Sequence, residues 1–495
     1  MATQTLSLQA PAQRAPQTLI PRIETDARVV SFAQTAAGKL AMLACAAVLF
    51  YFRGVRDPVV ILVLAGIFFL PRHTWTLMTI SGIYWMPSMV KGNFNLNQRI
   101  MGTALAVAVA VLLWMMVQRW PKGWVARSPR LSLLGVFGAA VMAAQVAPGA
   151  SSSVLWSLVA GLSACLWIFS FALMDRALPD RAPADRACAM AYQPEAPSRP
   201  NTAWRTLWPN AAMFFSFFPT VFASTTPFFK RPSTMRRMEA KNPEERAIVQ
   251  LKGLKLLAWS ILLSLVWAIL DTASGAIGVP KLTDAIAAST AHHPPAWYLC
   301  WASLLNGFFD SALRLAIWGN TVVAGCRLAG FRLLRNSYRP LEARTIVDFW
   351  NRYYYYFKEL VADFFFYPVY MRCFKKHPRV RMLFATWMAV GLGVPLFHFV
   401  RDIDVVRQLG LWRAVTGYHV FMCYATLLSI GIGISQIRKV SAPRDLQKSF
   451  LRTHVLPISG VILFFCFVQV FDDLRRTVPI REHLLFLTRL AGWST

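Results

Sequence analysis

Long uncharged apolar runs recur along this chain at lengths that match a bilayer. Residues 131–174 contain no Lys, Arg, Asp, Glu or His and are interrupted at Pro148-Gly149-Ala150-Ser151-Ser152-Ser153. That is a turn sequence, so the run predicts two helices joined by a tight hairpin. Further uncharged runs cover 74–90, 100–117 and 455–471, and 414–437 is broken only by His419. Weaker spans are 40–52 with 58–71, 256–280, 296–326, 350–370 and 382–400. A crossing helix takes about 17–25 residues, so about 10–12 crossings are expected. The runs do not alternate as barrel strands would, and unpaired backbone groups in hydrocarbon cost several kcal/mol each, which leaves helices. The expected fold class is all-α, a polytopic membrane bundle.

Composition agrees. The 495 residues are 56% hydrophobic and 15% charged, against about a quarter charged in soluble domains. The net charge of +29 does not point to nucleic acid, whose binders gather basic residues on a polar face. Here the basic residues flank apolar runs, at Arg53, Arg56, Lys91, Arg99, Arg119 to Arg130, Arg438 and Lys439. Such loop charges orient a protein by the positive-inside rule and attract anionic headgroups, so the partner they imply is the lipid bilayer. The eight cysteines form no CxxC pair, which gives no sign of a metal site or a disulfide framework.

The pattern divides the chain into four stretches. Residues 1–38 read as a flexible polar tail without a signal peptide's apolar core. Residues 39–174 read as N-terminal transmembrane helices forming a lipid-facing layer, and 175–210 as a polar linker with Pro179, Pro183, Pro194 and Pro197. Residues 211–495 form a membrane core. The missing signal peptide and the Ala/Arg usage fit a bacterial inner membrane. Chemistry is expected in the last stretch, whose apolar segments carry Asp271, Asn306, Asp310, Arg314, Asn320, Asn351, Glu359, Asp363, His398 and His419. Ionisable groups at membrane depth are costly unless they line a cavity or meet a partner. Asp310 and Arg314, spaced i,i+4, read as an intramembrane pair, or else as a gate or substrate contact. No internal repeat is visible, which weighs against repeat-built transporters.

Three blocks in order carry a resemblance. The first is Phe217-Phe218-Pro219-Thr220-Val221-Phe222-Ala223. The second runs from Leu328-Ala329-Gly330-Phe331-Arg332-Leu333 through Asn336 and Pro340 to Ala343-Arg344-Thr345-Ile346-Val347-Asp348-Phe349-Trp350-Asn351-Arg352, then Asp363 and Tyr367-Pro368. The third is Gly391-Leu392 with Phe397-His398, followed by Trp412 and Gly417-Tyr418-His419 and closed by Phe464-Phe465-Cys466-Phe467-Val468. This set resembles the membrane-bound O-acyltransferase family, nearest its bacterial alginate O-acetyltransferase branch, over about 210–471. Two departures are plain. Ser224-Thr225-Thr226-Pro227 replaces a Gly-Pro, and Tyr353-Tyr354 stands where the family has Trp-His. The resemblance implies a helical bundle with a re-entrant segment around an intramembrane tunnel, an acyl thioester donor and a hydroxyl acceptor.

Acyl transfer to an alcohol needs a base for the hydroxyl proton, a carbonyl held about 3–3.5 Å away and a donor for the oxyanion. Histidine suits the first role, with an unperturbed pKa of about 6.5. The resemblance assigns it to His398, which follows the helix breakers Gly391, Gly393 and Pro395; read from position alone, His398 serves equally as a neighbour-bonding or interfacial residue. Tyr354 can donate to an oxyanion, and Asn351, one turn away at i−3, is expected on the same face. Alternatively Tyr353 to Tyr356 form an interfacial aromatic belt. Trp350, Asp310, Arg314 and His419 are the candidates for substrate contact, His419 reading equally as structural. No bound cofactor or metal is expected; an acyl-CoA or acyl-carrier protein is the implied donor, and an acyl-carrier or periplasmic protein the implied partner. The alternative function is a non-catalytic scaffold of the same family that binds a lipid or a partner protein.

Overall fold

The computed structural model describes residues 20–177, 226–228, 232–290, 294–441, 451–474 and 478–493. Every regular element among them is helical, apart from one isolated bridge between Glu239 and Phe331. The principal helices, leaving aside several short ones, are α1 (Ala27–Gln34), α2 (Ala36–Phe52), α3 (Pro58–Phe69), α4 (Thr74–Trp85), α5 (Leu96–Arg119), α6 (Pro129–Val146) and α7 (Gly149–Ala177). After the linker come α8 (Pro243–Ala276), α9 (Trp297–Leu328), α10 (Ile346–Tyr353) and α11 (Tyr355–Val361). The last four are α12 (Pro378–Arg401), α13 (His419–Ser441), α14 (Leu451–Gln469) and α15 (Ile480–Leu490).

Among the described residues seven helices (α5, α6, α7, α8, α12, α13 and α14) are long and apolar enough to cross a bilayer, or nine if two bent pairs each count as one span. Large apolar side chains on their outer faces are open, Leu112 at 55% and Ile269 at 67% exposure, as a hydrocarbon solvent requires. The chain is an all-α, multi-pass membrane protein. Among the described residues, several of the expected runs are not single straight spans. The runs 40–52 and 58–71 belong to pairs bent by 95° (α1 with α2) and 116° (α3 with Pro71–Met89). The run 350–370 is cut into short pieces near Tyr354.

The expected break after Gly391, Gly393 and Pro395 is also absent. α12 is one 24-residue span in which a π turn at Trp387–Gly393 absorbs an extra residue; such bulges recur at functional sites. Gly393 makes the turn possible, because a Cβ there would lie 2.6 Å from the Phe365 ring.

The N-terminal helices are not uniformly lipid-facing: the spanning windows of α5 and α6 are 39% buried, but α7 is enclosed. Of the spanning window of α7, 89% is buried, and Trp167 on it stacks on Phe397 of α12 at 5.6 Å. α5 and α7 touch backbone to backbone at Gly102 and Gly161, where a Cβ would lie 2.1 and 2.0 Å from the facing carbonyl oxygens. Small residues at such crossings let helices approach where no hydrophobic drive operates in lipid. Residues 1–19 of the expected tail and 178–210 of the linker lie outside the described residues, as does the Phe217–Ala223 block. The tail's remainder is ordered: α1 lies against α8, and Glu24 pairs with Lys255 of α8 at 3.3 Å.

The ends of the bundle differ in charge. Where α8 begins and α9 ends, Arg246 pairs with Glu239 and Arg332 with Glu245, beside Arg327 and Arg335. At the opposite end Gln469, closing α14, donates to the Gly307 carbonyl of α9, near Asp271, Asp310, Asp472 and Asp473.

Candidate functional site

The second sequence block builds one wall of a cavity. Thr345 caps α10 by accepting from the Asp348 amide at 3.1 Å, and Asp348 pairs with Arg352 at 3.0 Å. The helix stops because Tyr354 leaves helical geometry, at φ −138° and ψ 76°. Buried Asn336 holds the break: its carbonyl accepts from the Tyr355 amide at 2.9 Å and its side-chain oxygen from the Tyr356 amide at 3.4 Å. Asn336 in turn lies so close to α9 that a Cβ on Gly319 would meet its Nδ2 at 2.4 Å. The break turns Tyr354 inward. Its ring stacks on Phe357 at 5.1 Å, and its hydroxyl lies 2.9 Å from that of Thr226.

His398 comes to the same place from the last turn of α12. Its ring is packed among Phe357, Phe397 and Phe421, with centroids 6.1, 5.4 and 5.4 Å away. Among the described residues Nδ1 is buried with no hydrogen-bond partner, and aromatic packing surrounds the ring. His398, Tyr354, Tyr353 and Trp350 line a cavity of about 420 Å³ together with Thr226, Lys91, Arg401 and Asp472. Pockets of roughly 300–1,000 Å³ hold small ligands. Two cations flank the space. Arg401 is held by Asp402 through contacts of 2.8 and 2.6 Å. Burial first, and the nearby Arg401 charge second, push the Lys91 ammonium below its usual amine range.

A second cavity of about 480 Å³ adjoins the first, with Asp472 and Leu474 lining both. Asp310 and Arg314 belong to it. They form the expected pair at 2.8 Å, with the Trp267 indole donating to the same Asp310 oxygen at 2.7 Å. Burial lifts the Asp472 carboxyl to about 6, opposed by Arg401 and assisted by Asp473.

The expected residues therefore divide. His398, Tyr354 and Trp350 share one cavity, and Asp310 and Arg314 line its neighbour. Asn351 lines neither and is exposed on α10, because the i−3 argument assumed a helix running through Tyr354. His419 is exposed too, at the start of α13, where Nδ1 meets the Thr416 carbonyl at 2.9 Å. It faces neither cavity. Sequence reasoning missed Thr226, Lys91, Arg401 and Asp472 in the site, and Asn336 behind it. The charged three stand at the ends of apolar runs and look like ordinary interfacial residues. Only the fixed spacing of Asn336 within the second block hinted at a role. Among the described residues no three His, Cys, Asp or Glu side chains gather as a metal site.

A scan of the chain against protein-family models returns no match. No curated protein matches it either.

Proposed function

We propose that this protein is a membrane-bound acyltransferase, moving an acyl group from a thioester to an alcohol in the cavity around His398. The observation that carries the reading is that the His398 imidazole and the Tyr354 phenol line one and the same cavity. Among the described residues nothing bonds the buried Nδ1 of His398, and the proton is proposed to go to the other ring nitrogen, Nε2. In the proposed step the alcohol gives its proton to His398 while its oxygen bonds to the thioester carbonyl carbon. The carbon–sulfur bond then breaks, the proton passes from His398 to the leaving thiolate, and ester and free thiol result. The Tyr354 hydroxyl, supported by Thr226, supplies a hydrogen bond to the oxyanion, the role such donors play in acyl transfer. Lys91 and Arg401 add positive charge beside it.

The proposed donor is an acyl thioester of coenzyme A or of a carrier protein. Its phosphates suit the arginine-rich end of the bundle, which the positive-inside rule makes cytoplasmic. A bacterial inner membrane is the proposed location. The rival reading is a catalytically silent scaffold, favoured by the engagement of the Tyr354 hydroxyl with Thr226 and by the lack, among the described residues, of a hydrogen-bonding partner for His398 Nδ1. The readings separate in one assay. The protein in lipid nanodiscs is offered acetyl-CoA with a panel of alcohols, and thiol release is followed. Alcohol-dependent release is the expected result; none with any alcohol, while the fold is intact, favours the scaffold.

A further inference from the structure

A cavity of about 600 Å³ lies between α13 and α14 and shares no lining residue with the His398 cavity. Leu427, Ile430 and Ile434 of α13 form one wall, and Pro457, Val461 and Phe464 of α14 the other. On each helix these positions are three or four apart, so each wall is a single apolar face. The helices touch at Gly431, where a Cβ would lie 2.2 Å from the Phe464 ring. Beside Gly460 a Cβ would meet nothing within 4 Å, so the cleft has room there. Only 22% of the spanning window of α14 is buried, and Ile430 and Ile434 remain 48% and 43% exposed. The cleft therefore opens toward hydrocarbon, and its occupant comes from the bilayer.

The charge at one end of the cleft narrows the choice of occupant. Ser435 accepts from the Val347 amide at 3.2 Å, which docks the start of α10 on α13 one turn before Arg438. Arg344 and Arg438 both line the cavity and are exposed. Among the described residues neither side chain meets a carboxylate or another hydrogen-bonding group. Their neighbours in sequence differ, for Arg332, Arg339 and Arg352 each pair with an acid. From Leu427 to Arg438 the wall runs about 16 Å along the helix, about half of the hydrocarbon thickness. The apolar walls thus have the depth of one leaflet, with two uncompensated guanidinium groups at the end.

We infer that this cleft holds an anionic phospholipid, one acyl chain lying between α13 and α14 and the phosphate meeting Arg344 and Arg438. A guanidinium presents parallel donors that match a phosphate, and basic pockets between membrane helices take anionic headgroups. A zwitterionic lipid brings the same phosphate with an ammonium group that the arginines repel. The inference is independent of acyl transfer.

The test is native mass spectrometry of the full-length protein in detergent with dioleoyl-phosphatidylglycerol and with dioleoyl-phosphatidylcholine, which differ only in the headgroup. The first phosphatidylglycerol is expected to bind roughly tenfold tighter or more, from about a fivefold factor for each arginine. Arg344→Gln with Arg438→Gln is expected to remove that preference. Arg119→Gln with Arg127→Gln, an equal loss of charge at exposed positions outside the cleft, is expected to keep it. Gly460→Leu places a side chain in the open part of the cleft and is expected to weaken the binding of this first lipid. Equal affinity for the two lipids, a preference that survives the Arg344/Arg438 pair of changes, or the same loss from the control pair overturns the inference. So does glycerophosphoglycerol, the deacylated headgroup, binding as tightly as the lipid, or a dimer that Gly460→Leu dissolves.

Discussion

The hydroxyl of Tyr354 lies 2.9 Å from that of Thr226, a partner 128 positions earlier in the chain. A tyrosine at the position where the resembled family carries histidine is thereby held with its phenol facing His398's cavity. A hydroxyl bound to one neighbour still accepts or donates a second bond, and the oxyanion is the proposed second partner. Tyr354→Phe keeps the stack on Phe357 and removes only the oxygen. The expected loss is about 1 kcal/mol of stability and about 100-fold in the rate of acyl transfer, the scale for one oxyanion donor. Thr226→Ala frees the phenol and is expected to cost far less rate. Equal losses from the two variants would contradict the donor role.

The break that aims Tyr354 depends on Asn336 packed against Gly319. Gly319→Ala places a Cβ 2.4 Å from Asn336 Nδ2, and overpacking of this kind costs about 1–3 kcal/mol. Asn336→Ala leaves the Tyr356 amide without its acceptor, at about 1–3 kcal/mol. Because one clash involves the group that the other variant removes, the double variant is expected to be less destabilised than the sum of the singles. Thermal unfolding of the four proteins measures this; strict additivity would show that the two residues do not press on each other.

The crossing of α5 and α7 is a further test of packing. Gly161→Val has no room, since even a Cβ would lie 2.0 Å from the Gly102 carbonyl. Helix separation there also displaces Trp167, which stacks on Phe397 beside His398. The variant is expected to unfold at a clearly lower temperature and to lose activity together with stability. Gly138→Ala, on α6 with nothing within 4 Å of its Cβ, is the control and is expected to change neither.

Asp472 gives a pH dependence of unusual sign. Its carboxyl titrates near 6 in the folded protein, above the unfolded value of about 3.9. Between these values the native state holds a proton that the unfolded chain has lost, so stability falls as pH rises from about 4 through 6. Above that window the cost of the partly desolvated charge is fully present. Asp472→Asn is expected to flatten this part of the profile. Melting temperatures of both proteins from pH 4 to 7 check it, and parallel profiles would remove Asp472 as the source.

The apolar runs made the helical membrane architecture legible, because hydrocarbon leaves the backbone no other arrangement. Bends were not legible: Leu70-Pro71 turns the chain by 116° inside what reads as ordinary apolar sequence. Glycine and proline misled in α12, where a π turn accommodates Gly391 and Gly393 without breaking the span. The resemblance put His398 and Tyr354 in one site, and the two do line one cavity. Asn351 was misread because helical periodicity does not survive the turn at Tyr354. Thr226 and Asp472 were invisible, since only tertiary packing brings them from distant segments to one cavity.

The most direct measurement is thiol release from acetyl-CoA by reconstituted His398→Gln protein, with melting temperature recorded alongside. Glutamine keeps much of the volume but cannot take up a proton. A rate lower by about 100-fold or more, the contribution of a general base, at unchanged melting temperature is the predicted result. Alcohol-dependent release at the unaltered rate would contradict the account.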